Sequence, residues 1–411
     1  MAATASTTAS GTAQPGGTQL APAAAPAPAA VEFNFSTGMP DPKTFPSETL
    51  GAAAQRVILR EGPSLVRYPD PRGYVPLREI AAQRFRHNHA VDVPIADVTL
   101  TTGSMQAIIL ATQAFVKAGD TVVVEEFCYS GTLGVLRQYG AHIAGVPLDD
   151  QGLRPDALEE VLDRLAAEGR RVAFVYSIAT HQNPSGTILP LERRDALLSI
   201  CKRRGVLVVE DDCYADVVFE GEMPPAIYTR GDPGAVLYIG SFSKILGPGA
   251  RLGYFIAPDT LTEKMMAFKR DGGTSALSAM IVAEYLKDHL WSHIGEVCDA
   301  VRAKRDVLFA ALGNELGGLV DWTRPHGGLF SWVKLPEGID TQAIARLAKE
   351  RGVQFGSGRS FDAADRDVPY LRLAFGFIDE SLIPEGIARL GACIEGAAPG
   401  SVSRPRVPSS A

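Results

Sequence analysis

From residue 98 to residue 257 the chain alternates between two hydrophobic patterns, and this alternation constrains its fold more than any other feature. Uninterrupted apolar runs at 98–101, 122–125, 143–147, 172–177, 206–210, 235–240 and 254–257 read as strands. Segments with helical spacing lie between them, at 104–115, 132–139, 155–167, 191–204 and 261–270. A strand apolar on both faces needs cover on both, and strands separated by helices pair in parallel. The expected fold is therefore α/β, with a mainly parallel sheet flanked by helices. Ligands of such sheets bind beyond the carboxyl ends of the strands, which is where the polar motifs of this chain fall. After about Thr274 helical spacing dominates to about Asn314, and the strand-like run at 370–375 follows, so a smaller α+β C-terminal domain is expected.

Composition narrows the function. With 411 residues, 46% hydrophobic and 21% charged, the chain has ample material for a large core. Its formal net charge of −7 and the lack of a long basic run argue against nucleic acid or an anionic membrane as partner. No stretch reaches the roughly 18 apolar residues that would span a bilayer. Cys128, Cys201, Cys213, Cys298 and Cys393 are scattered and odd in number, which fits reduced thiols in a cytoplasm better than a disulfide framework. Residues 1–31 carry no Asp, Glu, Lys or Arg and lack the basic start of a signal peptide. They read as a disordered extension, and 397–411 as a disordered tail. The expected division is an N-terminal arm at 32–75, a large domain at 76–285 and a small domain at 286–396.

The chemistry centres on residues 240–254, Gly-Ser-Phe-Ser-Lys-Ile-Leu-Gly-Pro-Gly-Ala-Arg-Leu-Gly-Tyr. A lysine at a strand end is usually a solvated surface group. Here Ser241 and Ser243 add hydroxyl donors, Arg251 adds a fixed fork of donors, and Gly249 and Gly253 admit a ligand close to the backbone. One amine among phosphate-type donors suits a lysine, Lys244, that forms an imine with a phosphorylated aldehyde. A low-polarity setting and nearby cations would depress its pKa and make it nucleophilic.

The pattern Ser-x-Ser-Lys-x-x-x-Pro-Gly-x-Arg-Leu-Gly resembles the lysine segment of fold-type I pyridoxal-phosphate (PLP) enzymes. It is most similar to class I/II aminotransferases of the 2-aminoadipate and kynurenine branch. Further motifs follow in the family's order over roughly residues 33–394. The segment Gly38-Met39-Pro40-Asp41 resembles the stretch that crosses the mouth of the site, which implies a substrate contact at Gly38. Tyr68 with Gly73 and Leu77-Arg78 resembles a block whose Tyr reaches the cofactor phosphate of a neighbouring subunit, implying a homodimer with shared sites. Thr102-Gly103-Ser104-Met105-Gln106 stands where the family has a phosphate cradle, with Met105 replacing a Gln, so the backbone contribution remains. Tyr129, in Glu125-Glu126-Phe127-Cys128-Tyr129, matches the ring that stacks on the cofactor, although Phe127 and Cys128 replace the usual Pro and Thr.

Asn183, in His181-Gln182-Asn183-Pro184-Ser185-Gly186, corresponds to the amide that bonds the cofactor's phenolic oxygen; Ala179 replaces a proline that would stiffen this loop. Asp211 and Tyr214 match the family's Asp-x-x-Tyr, which gives Asp211 to the pyridine nitrogen and Tyr214 to the phenolic oxygen. Asp212 is the rival carboxylate, and the spacing to Tyr214 favours Asp211. Arg372 matches the arginine that clamps the substrate carboxylate.

The resemblance implies a PLP-dependent aminotransferase acting on an amino acid and a 2-oxo acid, with Lys244, Asp211 and Tyr129 at the reacting centre. The same scaffold also serves elimination, replacement or oxidation, and none of these motifs separates the outcomes. Some transcription regulators carry this domain behind a DNA-reading head, and the uncharged stretch at 1–31 supplies no such head. His289 and His293 share a helix face but lack a glutamate base and a third ligand, so no metal site is read there.

Overall fold

The structure, a computed structural model, describes residues 31–397. The extension read at 1–31 and the tail at 397–411 lie outside these residues, apart from Val31 and Ala397. A short strand β1 (Phe33–Asn34) leads to helices α1 (Ser47–Glu61) and α2 (Val75–His89). Next come β2 (Val98–Thr101), α3 (Ser104–Phe115), β3 (Thr121–Glu125), α4 (Ser130–Gln138) and β4 (His142–Val146). A small hairpin, β5 (Leu148–Asp149) and β6 (Gly152–Leu153), precedes α5 (Pro155–Ala167) and β7 (Val172–Ser177). The unit continues through α6 (Leu191–Arg204), β8 (Leu207–Asp211), β9 (Val236–Ser241), β10 (Gly253–Ile256) and α7 (Asp259–Met266).

Seven of these strands form one sheet in the order β2-β10-β9-β8-β7-β3-β4. From β9 to β4 every pairing is parallel, while β10 is antiparallel to both of its neighbours. No crossover helix separates β9 from β10, so the chain returns antiparallel. Every residue of β2, β3, β9 and β10 is buried, as cover on both faces requires. The apolar runs at 98–101 and 172–177 and the helical spacings at 104–115, 155–167 and 191–204 coincide with formed elements. The spacing at 261–270 outruns α7, which stops at Met266 before the Gly272 and Gly273 turn, where both φ angles are positive.

The 41-residue helix α8 (Ala276–Leu316) starts at Ser275, whose side chain accepts a hydrogen bond from Ser278 N. Beyond it lie β11 (Asp321–Trp322), β12 (Phe330–Lys334), α9 (Thr341–Glu350), β13 (Val353–Gln354), β14 (Gly356–Ser357), β15 (Tyr370–Ala374) and α10 (Ile383–Ala397). Their four-stranded antiparallel sheet has the order β11-β12-β15-β14, and β1 pairs in parallel with β13. Helix α8 packs on α1 and α2 and also on α10, and the boundary read at 285 falls within it. One apolar cluster runs from Leu110 and Val122 through Tyr214 and Val217 to Phe330, Leu373 and Ile387, so the two sheets share a continuous core. Among the described residues no helix is long and apolar enough to cross a membrane.

Candidate active site

Thr101, Glu125, Ser177, Asp211 and Ser241 are the last residues of β2, β3, β7, β8 and β9, which brings their side chains to one edge of the large sheet. Lys244 follows β9 in the segment that returns as β10. Its Nζ donates to the Gly38 carbonyl at 2.8 Å and lies 5.4 Å from the centre of the Tyr214 ring. Burial lowers the pKa of this ammonium; Cys213 and Asp211 oppose the shift, and Arg372 reinforces it. A lowered pKa leaves more of this lysine as the neutral amine, the form that acts as nucleophile and proton acceptor, than a surface lysine has.

Two features hold the lysine segment. Ser241 Oγ accepts from Ser243 N at 3.1 Å. Behind it, the Arg84 guanidinium of α2 donates to the Ser241 carbonyl at 3.0 Å, stacks on Phe242 and pairs with buried Asp216. His293 Nε2 lies 2.7 Å from the Ile245 carbonyl, the residue after the lysine, while the His289 ring stacks on Tyr285. The two histidines that share a helix face thus have separate partners.

Helix α3 begins at Ser104 without a side-chain cap, behind Gly103 at a φ of +76°. Arg251, itself at a φ of +54°, donates to the Thr102 carbonyl at 2.9 Å and would lie 3.1 Å from a Cβ on Gly103. Gly253 must lack a side chain, because a Cβ there would sit 2.6 Å from Ser104 N. Gln106 turns back to accept from Thr102 N at 2.7 Å, while the Met105 methyl lies beside the Tyr129 ring at Gly131. Gly103, Ser104 and Arg251, with Ser241 opposite Gly253 on the neighbouring strand, therefore gather at one helix N-terminus, an arrangement suited to a phosphate.

The loop at 178–187 is pinned despite Ala179. Arg194 donates to the Ala179 carbonyl and to Thr180 Oγ1, at 2.9 and 3.0 Å. Glu125 accepts from Ser177 Oγ, Ile178 N and Gln182 Nε2 at 2.7, 3.0 and 3.0 Å. This presents Asn183 with its amide nitrogen 3.3 Å from the Tyr214 hydroxyl and its carbonyl oxygen accepting from Arg372 at 3.0 Å. Arg372 also donates to the Ser36 carbonyl at 2.5 Å and lies over the rings of Phe330 and Phe361. Its Nε has no partner, and burial lowers its pKa to about 10.

Asp211 is 4% exposed. One carboxylate oxygen accepts from the Tyr176 hydroxyl at 2.6 Å, and the other, Oδ1, has no partner. Burial raises its pKa; hydrogen bonds from Cys213 and Tyr176 oppose that. Asp212 has a different neighbourhood. Its Oδ2 accepts from Tyr238 at 3.2 Å and lies 3.3 Å from His89 Nε2, whose Nδ1 accepts from Ala226 N and so fixes the tautomer that donates. The two adjacent acids thus diverge, and Asp211 is the one that shares surroundings with Tyr129, Tyr214 and Lys244.

A buried carboxylate oxygen with no partner fits a protonated ring nitrogen, and the helix N-terminus with Arg251 fits a phosphate. Together with Lys244, which interacts with Asp211, these donors and acceptors match PLP. The sequence motifs at Gly38, Gly103, Ser104, Met105, Tyr129, Asn183, Asp211, Tyr214, Ser241, Ser243, Lys244, Arg251 and Arg372 converge on this site. Tyr68 does not: it is 90% exposed, with its ring against Gly272. The motifs gave no role to Tyr176 or Thr132, which stand behind Asp211 as residues of an apolar run and a helix, nor to Phe330, which belongs to a segment resembling the family's Pro-x-Gly-Gly-x-Phe-x-Trp and lies under Arg372.

Fold and site together define a fold-type I transferase, with a lysine at the end of a mostly parallel seven-stranded sheet. The profile of the class I and II aminotransferases matches residues 31–390, and the chain belongs to that family. It is 35% identical to aromatic-amino-acid aminotransferase 1 of Thermococcus litoralis, over 88% of each chain. It is similar in structure to the α-aminoadipate aminotransferase of Thermus thermophilus, solved with N-(5'-phosphopyridoxyl)-L-leucine: TM-score 0.83, 35% identity, 89% of this chain and 92% of that one. The kynurenine aminotransferase of Pyrococcus horikoshii is similar at a TM-score of 0.85 and 32% identity, over 90% of this chain and 93% of that one. The protein is a PLP-dependent aminotransferase that moves amino groups between amino acids and 2-oxo acids.

Proposed function

We propose that Lys244 is the covalent anchor and proton carrier of this aminotransferase, that Arg372 binds the substrate carboxylate, and that the working unit is a homodimer. The observation that carries the reading is the clustering of Lys244, the unpartnered Oδ1 of Asp211 and the unpartnered Nε of Arg372 around Asn183 and Tyr214. The bound cofactor supplies a carbonyl carbon for the amine and an electron-withdrawing ring. Gly103, Ser104 and Met105 lend backbone donors to its phosphate, with Ser241, Ser243 and Arg251 completing the cradle. Asp211 holds the proton of the ring nitrogen, Asn183 and Tyr214 donate to the phenolic oxygen, and Tyr129 covers one face of the ring. Arg372 gives two parallel hydrogen bonds to the α-carboxylate, exchanging its bond to the Ser36 carbonyl. Lys244, with its basicity depressed, would take the proton from the substrate Cα and, as general acid, deliver it to the cofactor's exocyclic carbon. The Gly38 carbonyl, which accepts from the free Lys244 amine, would line the substrate's place beside Phe330.

Aromatic, aminoadipate and kynurenine donors are named for the relatives. The aromatic packing under Arg372 favours the aromatic and aliphatic side of that range. For the dimer, the support is a row of bare apolar side chains on α1 and beyond: Ile58, Leu59, Val66 and Tyr68 are 50, 77, 86 and 90% exposed. Tyr68 lies against Gly272, and neighbouring Asp271 bonds Gln106 at the cradle, so a partner covering this row reaches the phosphate end. Borohydride reduction of the PLP-loaded enzyme followed by peptide mapping should tag Lys244. One equivalent of a good amino donor without oxo acid should release one equivalent of 2-oxo acid and bleach the visible band, and added oxo acid should restore it. A tag on another lysine overturns the assignment of Lys244. Continued release of ammonia or of a side-chain leaving group would reveal elimination or replacement by the same site.

A further inference from the structure

Asp211 is held from behind by a chain of two hydroxyls. Thr132 Oγ1 donates to the Tyr176 hydroxyl at 3.1 Å, and that hydroxyl donates to Asp211 Oδ2 at 2.6 Å. Thr132 and Tyr176 are 0% exposed, so water does not compete for these bonds. The register explains the contact. Tyr176 of β7 pairs with Val209 of β8, and Asp211, two residues on, shares that face of the sheet. Thr132 stands three residues after Tyr129 at the start of α4, so the turn that carries the stacking ring also carries the outer hydroxyl.

We propose that Tyr176, braced by Thr132, is a positioning residue for the reaction: it holds Asp211 in one orientation, ionised, with Oδ1 left for the ring nitrogen. The proposal rests on the reading of Asp211 as the ring's partner. Two carboxylate oxygens in a buried site are equivalent until one is claimed, and the phenol claims one. A hydroxyl donating to a buried carboxylate offsets part of the cost of keeping it charged, and the Thr132 bond polarises that hydroxyl into a better donor. The Cys213 thiol and backbone N–H also donate to Asp211, so the phenol shares this support with them; the phenol's bond is the one backed by the buried Thr132 hydroxyl. Glu125 and Asp212 are acids and disfavour a second negative charge, and Lys244 is a cation that interacts with it. Tyr129 and Tyr214 stay neutral because burial raises their phenols, and burial does the same to the thiols of Cys128 and Cys213.

The sign follows directly. Removing the donor makes Asp211 easier to protonate, so the acid limb of activity, which needs the carboxylate, moves to higher pH. Tyr176→Phe should move that limb of kcat up by about one pH unit and weaken PLP binding to the cofactor-free protein about tenfold, followed by fluorescence quenching. The KM for the amino donor should stay within about twofold, since Tyr176 is remote from Arg372. Thr132→Val should act in the same direction but less, and Thr132→Ser should restore wild-type behaviour. If Tyr176→Phe does not fold, the two Thr132 variants decide. A wild-type acid limb and PLP affinity in a folded Tyr176→Phe or Thr132→Val protein, with only a lower Tm, overturns the proposal and leaves the hydroxyl chain as packing. Asp211→Asn separates the two levels. If it lowers affinity and turnover while the Tyr176 and Thr132 variants are silent, only this proposal fails; if it is silent as well, Asp211 is not the ring's partner.

Discussion

Glu125 shows how strongly one buried carboxyl can shape this site. Burial raises its pKa to about 7, although Gln182, Ser177 and Ile178 all donate to it. The folded chain therefore keeps this proton to higher pH than the unfolded chain, whose glutamate titrates near 4.5. The contribution to stability is complete below the unfolded value and is lost as pH rises from about 4.5 to about 7. Glu125→Gln should flatten the decline of Tm across that window, by an amount equivalent to ~3 kcal/mol at neutral pH before any lost hydrogen bond is counted. Calorimetry at pH 5, 6 and 7.5 measures it, and an unchanged slope would mean the carboxyl is ionised throughout. At this scale most of the site was legible, because the residues that carry chemistry sit at strand ends in recognisable spacing. The choice between Asp211 and Asp212 came from spacing alone, and the structure gives it a physical reason: Asp211 shares its surroundings with Tyr129, Tyr214 and Lys244, while Asp212, whose Oδ1 is likewise unpartnered, lies against Tyr238 and His89. Tyr176 was hidden because it looks like one more apolar strand residue.

Among the elements, the strands and helices of the large sheet were readable, since each shows one clean period. Helix α2 was not. Its buried face carries Arg78 and Arg84, 7 and 3% exposed, which breaks the apolar stripe that would mark a helix. These arginines have definite tasks. Arg78 donates to the carbonyls of Val98 and Ile95 at 2.8 and 2.6 Å, and Arg84 pairs with Asp216 beneath the lysine segment. Breaking a buried pair strands the remaining charge, which typically costs about 3–5 kcal/mol. Arg84→Met should therefore lower the urea midpoint sharply and also reduce turnover, because it frees the Ser241 carbonyl. Arg84→Met combined with Asp216→Leu should recover much of the stability. If the single variant unfolds at the wild-type midpoint, α2 does not brace the lysine through this pair.

At the scale of the molecule, the exposed row on α1 and the turn after it has no cover among the described residues. Leu59→Lys with Val66→Lys should leave a folded monomer by light scattering, with PLP retention and turnover falling together; a native oligomer with full activity would remove the dimer from the account. This row could not be read from periodicity, because a bare apolar side chain looks like a misplaced one. Helix α8 has a different consequence. At 41 residues it is about 60 Å long, and it packs on α1 and α2 as well as on α10. Severing the chain at residue 285 would give each piece a stump of helix with its apolar stripe bare. The two sheets therefore cannot be inherited, swapped or expressed as separate modules: the strut that joins them is also part of the inside of each.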